Sequence, residues 1–405
     1  MRLLLKLVWR NIWRHRRRSL LNILAIVFGL GMIILMVAIQ DSSHQQMIDS
    51  TINLGTGHIQ IRAFGHYEDP AVDKLINNPS QLADQIKSID AIRSITQRAV
   101  AFALLSSGRS STGGQIIGIQ PDKEFIIIPR RIISGSYLSD GDTNSVVIGE
   151  QLARNLGLTL GRELIILTQD YYGSVSAAKS IVKGIFRTGI PELDAFQVYM
   201  PLVAAQKLLA IEGVHEIVVK LGSPDNVETV KNEVINRIHN NKLEVMTWRE
   251  LLKSLIQAIN IDNAGGYLFL AILLIIVAGS LLNEILMSTL ERTREIGILR
   301  AVGTSPAQIR LMIILESGLL GILGMVGGVV LGVALSWYFS VFPIHISGLE
   351  EAFEEYGLSP YITTKLTMIN IVLSSGFILI VSLIAGIIPA YRVSRLSIVK
   401  ALRFA

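Results

Sequence analysis

The chain has 405 residues, of which 50% are hydrophobic and 17% charged, with a formal net charge of +5 and no cysteine. Its mean hydropathy of +0.49 is too high for an ordinary water-soluble protein of this length, and the missing cysteines exclude structural disulfides without fixing a compartment. The excess of basic over acidic residues gathers in short segments beside apolar runs, which reads as membrane topology and not as nucleic-acid binding.

Residues 1–19 hold Arg2, Lys6, Arg10 and Arg14 four apart, with Leu5, Val8, Trp9, Ile12 and Trp13 on another face and no acidic residue. This predicts a cytoplasmic amphipathic helix at the inner surface; a plain stop signal for topology is compatible with it. The apolar run 20–39, interrupted by Asn22, is long for a signal-peptide core and is expected to remain as the first span. Segment 40–264 is mixed-polar and long enough for one or two domains. In GHIQIRA, His58, Gln60 and Arg62 alternate with Ile59 and Ile61, which predicts a half-buried strand. Further strands are expected at GQIIGIQP, SVVIGE, RELIILTQ, KSIVKGIF, FQVYMPL and HEIVVKLG, and EQLARNLGL reads as a short helix followed by a turn at Gly161. Val227, Val230, Val234 and Ile238 stand at helical spacing before a strand at Leu243–Met246, so the segment is expected to be α+β. TWRELLKSLIQAINIDNA predicts a helix running into the second span, 265–288, as a rigid link.

The loop 289–305 is charged and short. Gly303 suits a helix C-terminus that needs positive φ; Ser305, Pro306 and Gln308 read as a capped start for the third span, 306–341. One short helix therefore ends near Val302. On a helical projection neither Glu291, Arg292, Arg294, Glu295 and Arg300 nor Ile296, Ile298, Leu299 and Val302 gather on one side. A helix lying on lipid would separate them, so the mixture suits a helix seated in a protein groove, with a solvated loop as the alternative. In the third span Gly324, Gly328 and Gly332 form a ridge for close helix contact, within one subunit or between two. Glu284 and Glu316 lie near the inner ends of spans two and three and read as structural or interfacial. Few other polar groups occur in the spans, which argues against an ion path or a hydrophilic substrate crossing the bundle. The loop 342–366 is acidic through Glu350, Glu351, Glu354 and Glu355; the fourth span is 367–391, and the tail 392–405 carries Arg392, Arg395, Lys400 and Arg403. The positive-inside rule puts 1–19, 289–305 and the tail in the cytoplasm, with both termini inside and 40–264 outside.

No phosphate-cradling GxxxxGK[ST] loop, HExxH, GxSxG or cysteine nucleophile is present. SAAK at Ser176–Lys179 matches SxxK, but neither SDN nor KTG follows, so it reads as chance. His58 and His66 are expected to be surface histidines and not metal ligands.

LMSTLERTREIGILRAVGTSPAQI closely resembles the segment between the second and third spans of the FtsX-like, MacB-type ABC transporter permeases, a group that includes the lipoprotein-releasing Lol permeases. The tail IIPAYRVSRLSIVKALR, the start WRNIWRHRRRSLLNILAI and the strand GHIQI fit the same family, so the resemblance covers nearly the full chain. It implies a membrane protein with four transmembrane α-helices and a large α+β extracytoplasmic domain between helices one and two, carrying an inserted subdomain at about 106–204. It implies a coupling helix that docks in a groove of a separate ATP-binding subunit, with Glu291, Arg294, Glu295, Ile298 and Arg300 as contacts. The chain itself is then expected to be non-catalytic and to bind no cofactor, with ATP and magnesium on the partner ATPase dimer. A second permease, identical or paralogous, completes the assembly in the bacterial inner membrane. MacB relatives carry a fused ATPase ahead of the first span, and this chain is expected to borrow one.

GHIQIRAFGHYEDP looks most like the lipoprotein-release branch, which implies extraction of lipoproteins entering laterally between spans one and two, and a periplasmic chaperone or adaptor as a further partner. The alternatives are export of amphiphilic peptides or drugs with an adaptor and outer-membrane channel, and FtsX-like regulation of a cell-wall hydrolase. The length of 40–264 favours the transport branches. A membrane-anchored enzyme is disfavoured by the missing motifs.

Overall fold

In a computed structural model the described residues are 8–10, 12–14, 16–345, 348 and 361–395, with Arg18, Asp225 and Glu284 described by backbone alone. Arg2, Leu5, Lys6, the acidic residues 350–355, Lys400, Arg403 and the Glu284 side chain therefore lie outside the described residues.

Helix α1 (Arg16–Thr51) passes into a π-turn, Ile52–Thr56. An α+β stretch follows: β1 (Ile59–Ala63), α2 (Pro79–Lys87), β2 (Ile92–Ser106), β3 (Ser111–Ile119), β4 (Ile132–Gly135), β5 (Ser145–Gly149), α3 (Glu150–Leu156), β6 (Glu163–Gln169), β7 (Val175–Phe186), α4 (Pro191–Phe196), β8 (Gln197–Pro201), α5 (Leu202–Leu209), β9 (Glu216–Leu221), α6 (Val227–Ile238), β10 (Leu243–Thr247) and α7 (Trp248–Leu251). The chain continues through α8 (Lys253–Glu291), α9 (Thr293–Ala301), α10 (Pro306–Val341), a small β11–β12 pairing (Ile344–His345 with Tyr361–Ile362) and α11 (Met368–Ser394). It forms two compact units: an α+β unit over Gln45–Gln257, and a helical unit containing the residues up to His44, Ala258–His345 and those from Tyr361 on.

Among the described residues four helices, α1, α8, α10 and α11, are long and apolar enough to cross a membrane. Two exceed their apolar cores. The polar stretch QDSSHQQMIDS stays helical in α1, and α8 starts at Lys253, after a break at Leu252 (φ −103°, ψ 44°). The expected helix into the second span is thus present, but in two pieces.

In the helical unit the glycine ridge is filled from within the chain. A Cβ on Gly324, Gly328 or Gly332 would lie 2.5, 2.7 or 2.8 Å from Ile26, Leu30 or Ile34 of α1, so α1 takes the place a second subunit's helix would need. Helices α10 and α11 interlock through small residues: Gly321 faces Ser382, Gly386 faces Ser317, and Ser382 Oγ donates to the Ser317 carbonyl at 2.9 Å. At one end of the unit Asp262 accepts from Gln40 Nε2 at 3.0 Å and lies 2.8 Å from His44 Nε2. There, too, Asp41 accepts from Thr367 and Asn370. At the other end Val8 and Ile12 bury against Met312 and Leu320, while Trp9 and Trp13 stay exposed.

The α+β unit has one sheet of ten strands. Strands β10, β1, β9 and the first half of β2 pair antiparallel, with the Leu82 and Ile86 side of α2 and the Val227, Val230 and Val234 side of α6 in the core beneath. The second half of β2 enters a ring: β2 pairs β3, β3 pairs β8, β8 pairs β5, β5 pairs β7, β7 pairs β6, and β6 returns to β2. Strand β2 therefore belongs to both halves, and the inserted ring begins at Ala99. All the strands read from the sequence are present; β2, β4 and the helices α2, α4 and α5 were not foreseen. Its composition explains why β2 was missed: Ala99, Ala101 and Ala103 are buried on one side and Thr96 and Arg98 on the other, and Leu105 is its one fully buried large apolar residue.

The expectation of surface histidines is corrected. His58 and His66 are both buried, as is His215, whose ring stacks on His66 with centroids 5.3 Å apart. Two of them serve a strand backbone: His58 Nδ1 accepts from Leu221 N at 3.2 Å and His215 Nδ1 from Val100 N at 3.0 Å.

Candidate docking helix

Helix α9 is bounded by local chemistry. Its C-terminus is a Schellman turn: Gly303 N donates to the Arg300 carbonyl at 3.1 Å and Thr304 N to the Leu299 carbonyl at 3.0 Å, with Gly303 at φ 107°. A capping box then starts α10, Gln308 N donating to Ser305 Oγ at 3.3 Å and Ser305 N to Gln308 Oε1 at 3.0 Å, with Pro306 in the first turn. Glu295 stands in the first turn and Arg300 in the last, both favourable to the helix dipole.

The helix has two faces. Thr293, Ile296 and Gly297 are buried against the helical unit. Arg294, Ile298 and Val302 face away; Ile298 is 50% and Val302 83% exposed. Exposed apolar side chains beside an arginine on a fastened helix are the usual composition of a protein contact.

The five residues proposed from the sequence do not act alike. Arg294 and Ile298 lie on the exposed face. Glu291 is also exposed, but it is the last residue of α8 and not part of the short helix. Glu295 is engaged within the chain, 2.8 Å from Arg14 and 3.5 Å from Arg292. Arg300 is half-buried, its Nη1 3.5 Å from the Ser394 carbonyl after α11 begins to close.

Three arginines were not singled out as fastenings. Arg292 Nη1 donates to both carboxylate oxygens of Glu316 at 3.2 Å, largely out of solvent. This pairing explains how a carboxylate is held inside the third span; removing Arg292 would strip it of a bidentate charge-assisted contact. Arg14 ties the N-terminal segment to α9, and Arg310 lies over the Tyr391 ring at 4.9 Å. The partner of Arg292 is distant in sequence, so no local pattern signalled it. Among the described residues no group of three or more His, Asp or Glu could hold a metal ion.

Four helices long and apolar enough to cross a membrane, an α+β insertion after the first and a capped charged helix between the second and third describe a membrane protein with one large extramembrane domain. Comparison with known families agrees: the MacB-like periplasmic core domain matches residues 19–237 and the FtsX-like permease C-terminal domain residues 267–398. The chain belongs to this FtsX-like, MacB-type family of ABC transporter permeases. It is 25% identical to the lipoprotein-releasing system transmembrane protein LolC of Xylella fastidiosa (strain 9a5c), over 95% of this chain and 94% of that one. It is 23% identical to the macrolide export ATP-binding/permease protein MacB of Agrobacterium fabrum, over 98% of this chain and 60% of that one. Among solved structures the periplasmic region of MacB from Actinobacillus actinomycetemcomitans matches 53% of this chain and 98% of its own at 16% identity and a TM-score of 0.38. The four apolar helices and these relatives make it a multi-pass protein of the bacterial inner membrane.

Proposed function

We propose that this permease couples ATP hydrolysis on a separate ATP-binding subunit to movement of its α+β unit, and that its substrate is a lipoprotein extracted from the inner membrane. The observation that carries the coupling is the exposed face of α9, with Arg294, Ile298 and Val302 presented on a helix fastened behind by Arg14–Glu295 and Arg292–Glu316. ATP and magnesium belong to the partner, a dimer of ATPases beneath two permeases, and α9 with both termini faces the cytoplasm. The likeness to LolC over 95% of the chain supports lipoprotein as the cargo. The apolar surface of α8, where Leu268, Ile272, Ile275 and Ile276 are exposed, suits acyl chains arriving from the side. The likeness to MacB supports a second reading, export of an amphiphile with an adaptor.

A pull-down of the chain from its native membrane in mild detergent, with mass spectrometry, tests both. An ATP-binding subunit with a lipoprotein or its periplasmic chaperone is the expected result. An adaptor in their place selects the exporter, and recovery without any ATPase removes the proposed coupling.

A further inference from the structure

At the end of α1 the chain enters the α+β unit through the π-turn Ile52–Thr56. Four of its carbonyls are taken one by one. Gly57 N donates to the Ile52 carbonyl at 3.1 Å, Ile127 N to the Asn53 carbonyl at 3.0 Å and Gln60 Nε2 to the Thr56 carbonyl at 2.7 Å, while Lys220 Nζ holds Asn53 Oδ1 at 2.7 Å. The Gly55 carbonyl receives Arg98 Nη1. Gly55 has φ 150°, and a Cβ there would lie 3.3 Å from the same Nη1, so the turn admits the guanidinium only because this residue is glycine.

Arg98 is 5% exposed and cannot move to suit the turn. Its Nε and Nη2 donate to the two oxygens of Glu124 at 3.0 and 2.8 Å. Glu124 is itself held by Thr96 Oγ1 and Phe125 N, each at 3.1 Å. One planar fork thus joins a fixed carboxylate to a turn carbonyl, which a lysine's single ammonium cannot reproduce. Its place in the sheet matters as much. Arg98↔Glu216 is the last pair of β2 with β9, and Ala99↔Gly118 is the first with β3. Arg98 therefore stands where the strand changes from one half of the unit to the other.

We propose that Arg98 is the positioning residue of the coupling: it grips the end of the first membrane helix and delivers its displacement to the one strand that both halves of the α+β unit share. The inference rests on the permease reading above. The chain has no native cysteine, so two can be introduced for spin labels, at exposed Asn236 and Ala307, in the complex with its ATP-binding subunit in lipid nanodiscs. Wild type is expected to change its label distance when ATP is trapped with vanadate. Arg98→Lys, and separately Gly55→Ala, which leaves the Arg98–Glu124 pair in place, are expected to hydrolyse ATP within about two-fold of wild type and to lose the distance change, with a lowered thermal midpoint from the disturbed buried pair in one and the strained turn in the other.

A wild-type distance change in either variant overturns the proposal. So does a fall of midpoint, hydrolysis and distance change together in both variants, which would mark Arg98 as a stabilising residue only. If wild type shows no ATP-driven change, or binds no ATPase, the proposed coupling itself has failed and this inference goes with it.

Discussion

Three buried imidazoles of the α+β unit, those of His58, His66 and His215, are built to be neutral. His215 Nδ1 accepts a backbone N–H, which leaves the Nε2 proton for the Val72 carbonyl at 3.2 Å. His58 Nδ1 likewise accepts from Leu221. Burial lowers the affinity of all three for a second proton, aided at His66 by His215, Arg62 and Lys74 and at His58 by Lys220, against smaller opposing effects of Glu216 and Asp49. His66 is brought down from 6.5 to about 4. Above 6.5 both folded and unfolded chains carry the ring neutral and stability is complete. As pH falls from 6.5 towards 4 the unfolded chain takes the proton first, and up to about 3 kcal/mol is lost before the loss levels off. Thermal midpoints of the purified chain should therefore fall between pH 6.5 and 4, and His66→Gln should fall less steeply. Equal slopes for the two proteins would discount His66. The sequence showed that these histidines lie in and around strands, but their burial is set by residues more than a hundred positions away, such as Val72 for His215.

At the scale of elements, the signals that could be read were those whose partners are close in sequence. Gly303, Ser305, Pro306 and Gln308 terminate α9 and begin α10 through hydrogen bonds spanning three to five residues, and the reading of them agrees with the structure. Strand β2 is the opposite case: Arg98 is tolerable inside it only because Glu124 comes to meet it, and alternation alone does not show that. The glycine ridge lies between these cases, since its spacing was plain and its occupant was not. With α1 as the occupant, Gly328→Leu must push α10 from Leu30, an overpacking cost of about 1–3 kcal/mol or more. Gly279→Ala, where nothing stands within 4 Å of a new Cβ, should be silent. Yield of monodisperse protein in detergent and resistance to limited proteolysis would compare them. A Gly328→Leu chain that folds normally but loses only its association with a second permease would contradict the packing described here.

For the whole molecule, the layout of spans and inserted domain was legible because each span is a continuous apolar run. Closure of the six-strand ring was not, because it depends on β2 meeting β6 across some sixty residues, as at Leu104↔Leu167. The docking surface was legible in place and only partly in detail. Reversing Glu291 and Glu295 together would disturb Arg14 and Arg292 as well as any partner. Arg294→Glu with Ile298→Asp is the cleaner change, as both side chains lie on the exposed face. That double variant should reach the membrane and keep its thermal midpoint, yet retain less than about a tenth of the wild-type ATP-binding subunit in pull-downs, a loss of roughly 1.4 kcal/mol or more. Undiminished recovery would move the docking site elsewhere.

The ring has a further effect on how this protein behaves among its own copies. Among the described residues of the sheet, only β10 and β4 lack a second neighbour, and they are five and four residues long. Unpaired backbone on a sheet margin is what recruits a foreign strand, and short margins offer it little purchase. By turning β2, β3, β8, β5, β7 and β6 back on themselves, the chain conceals most of its aggregation-prone ladder without a disulfide.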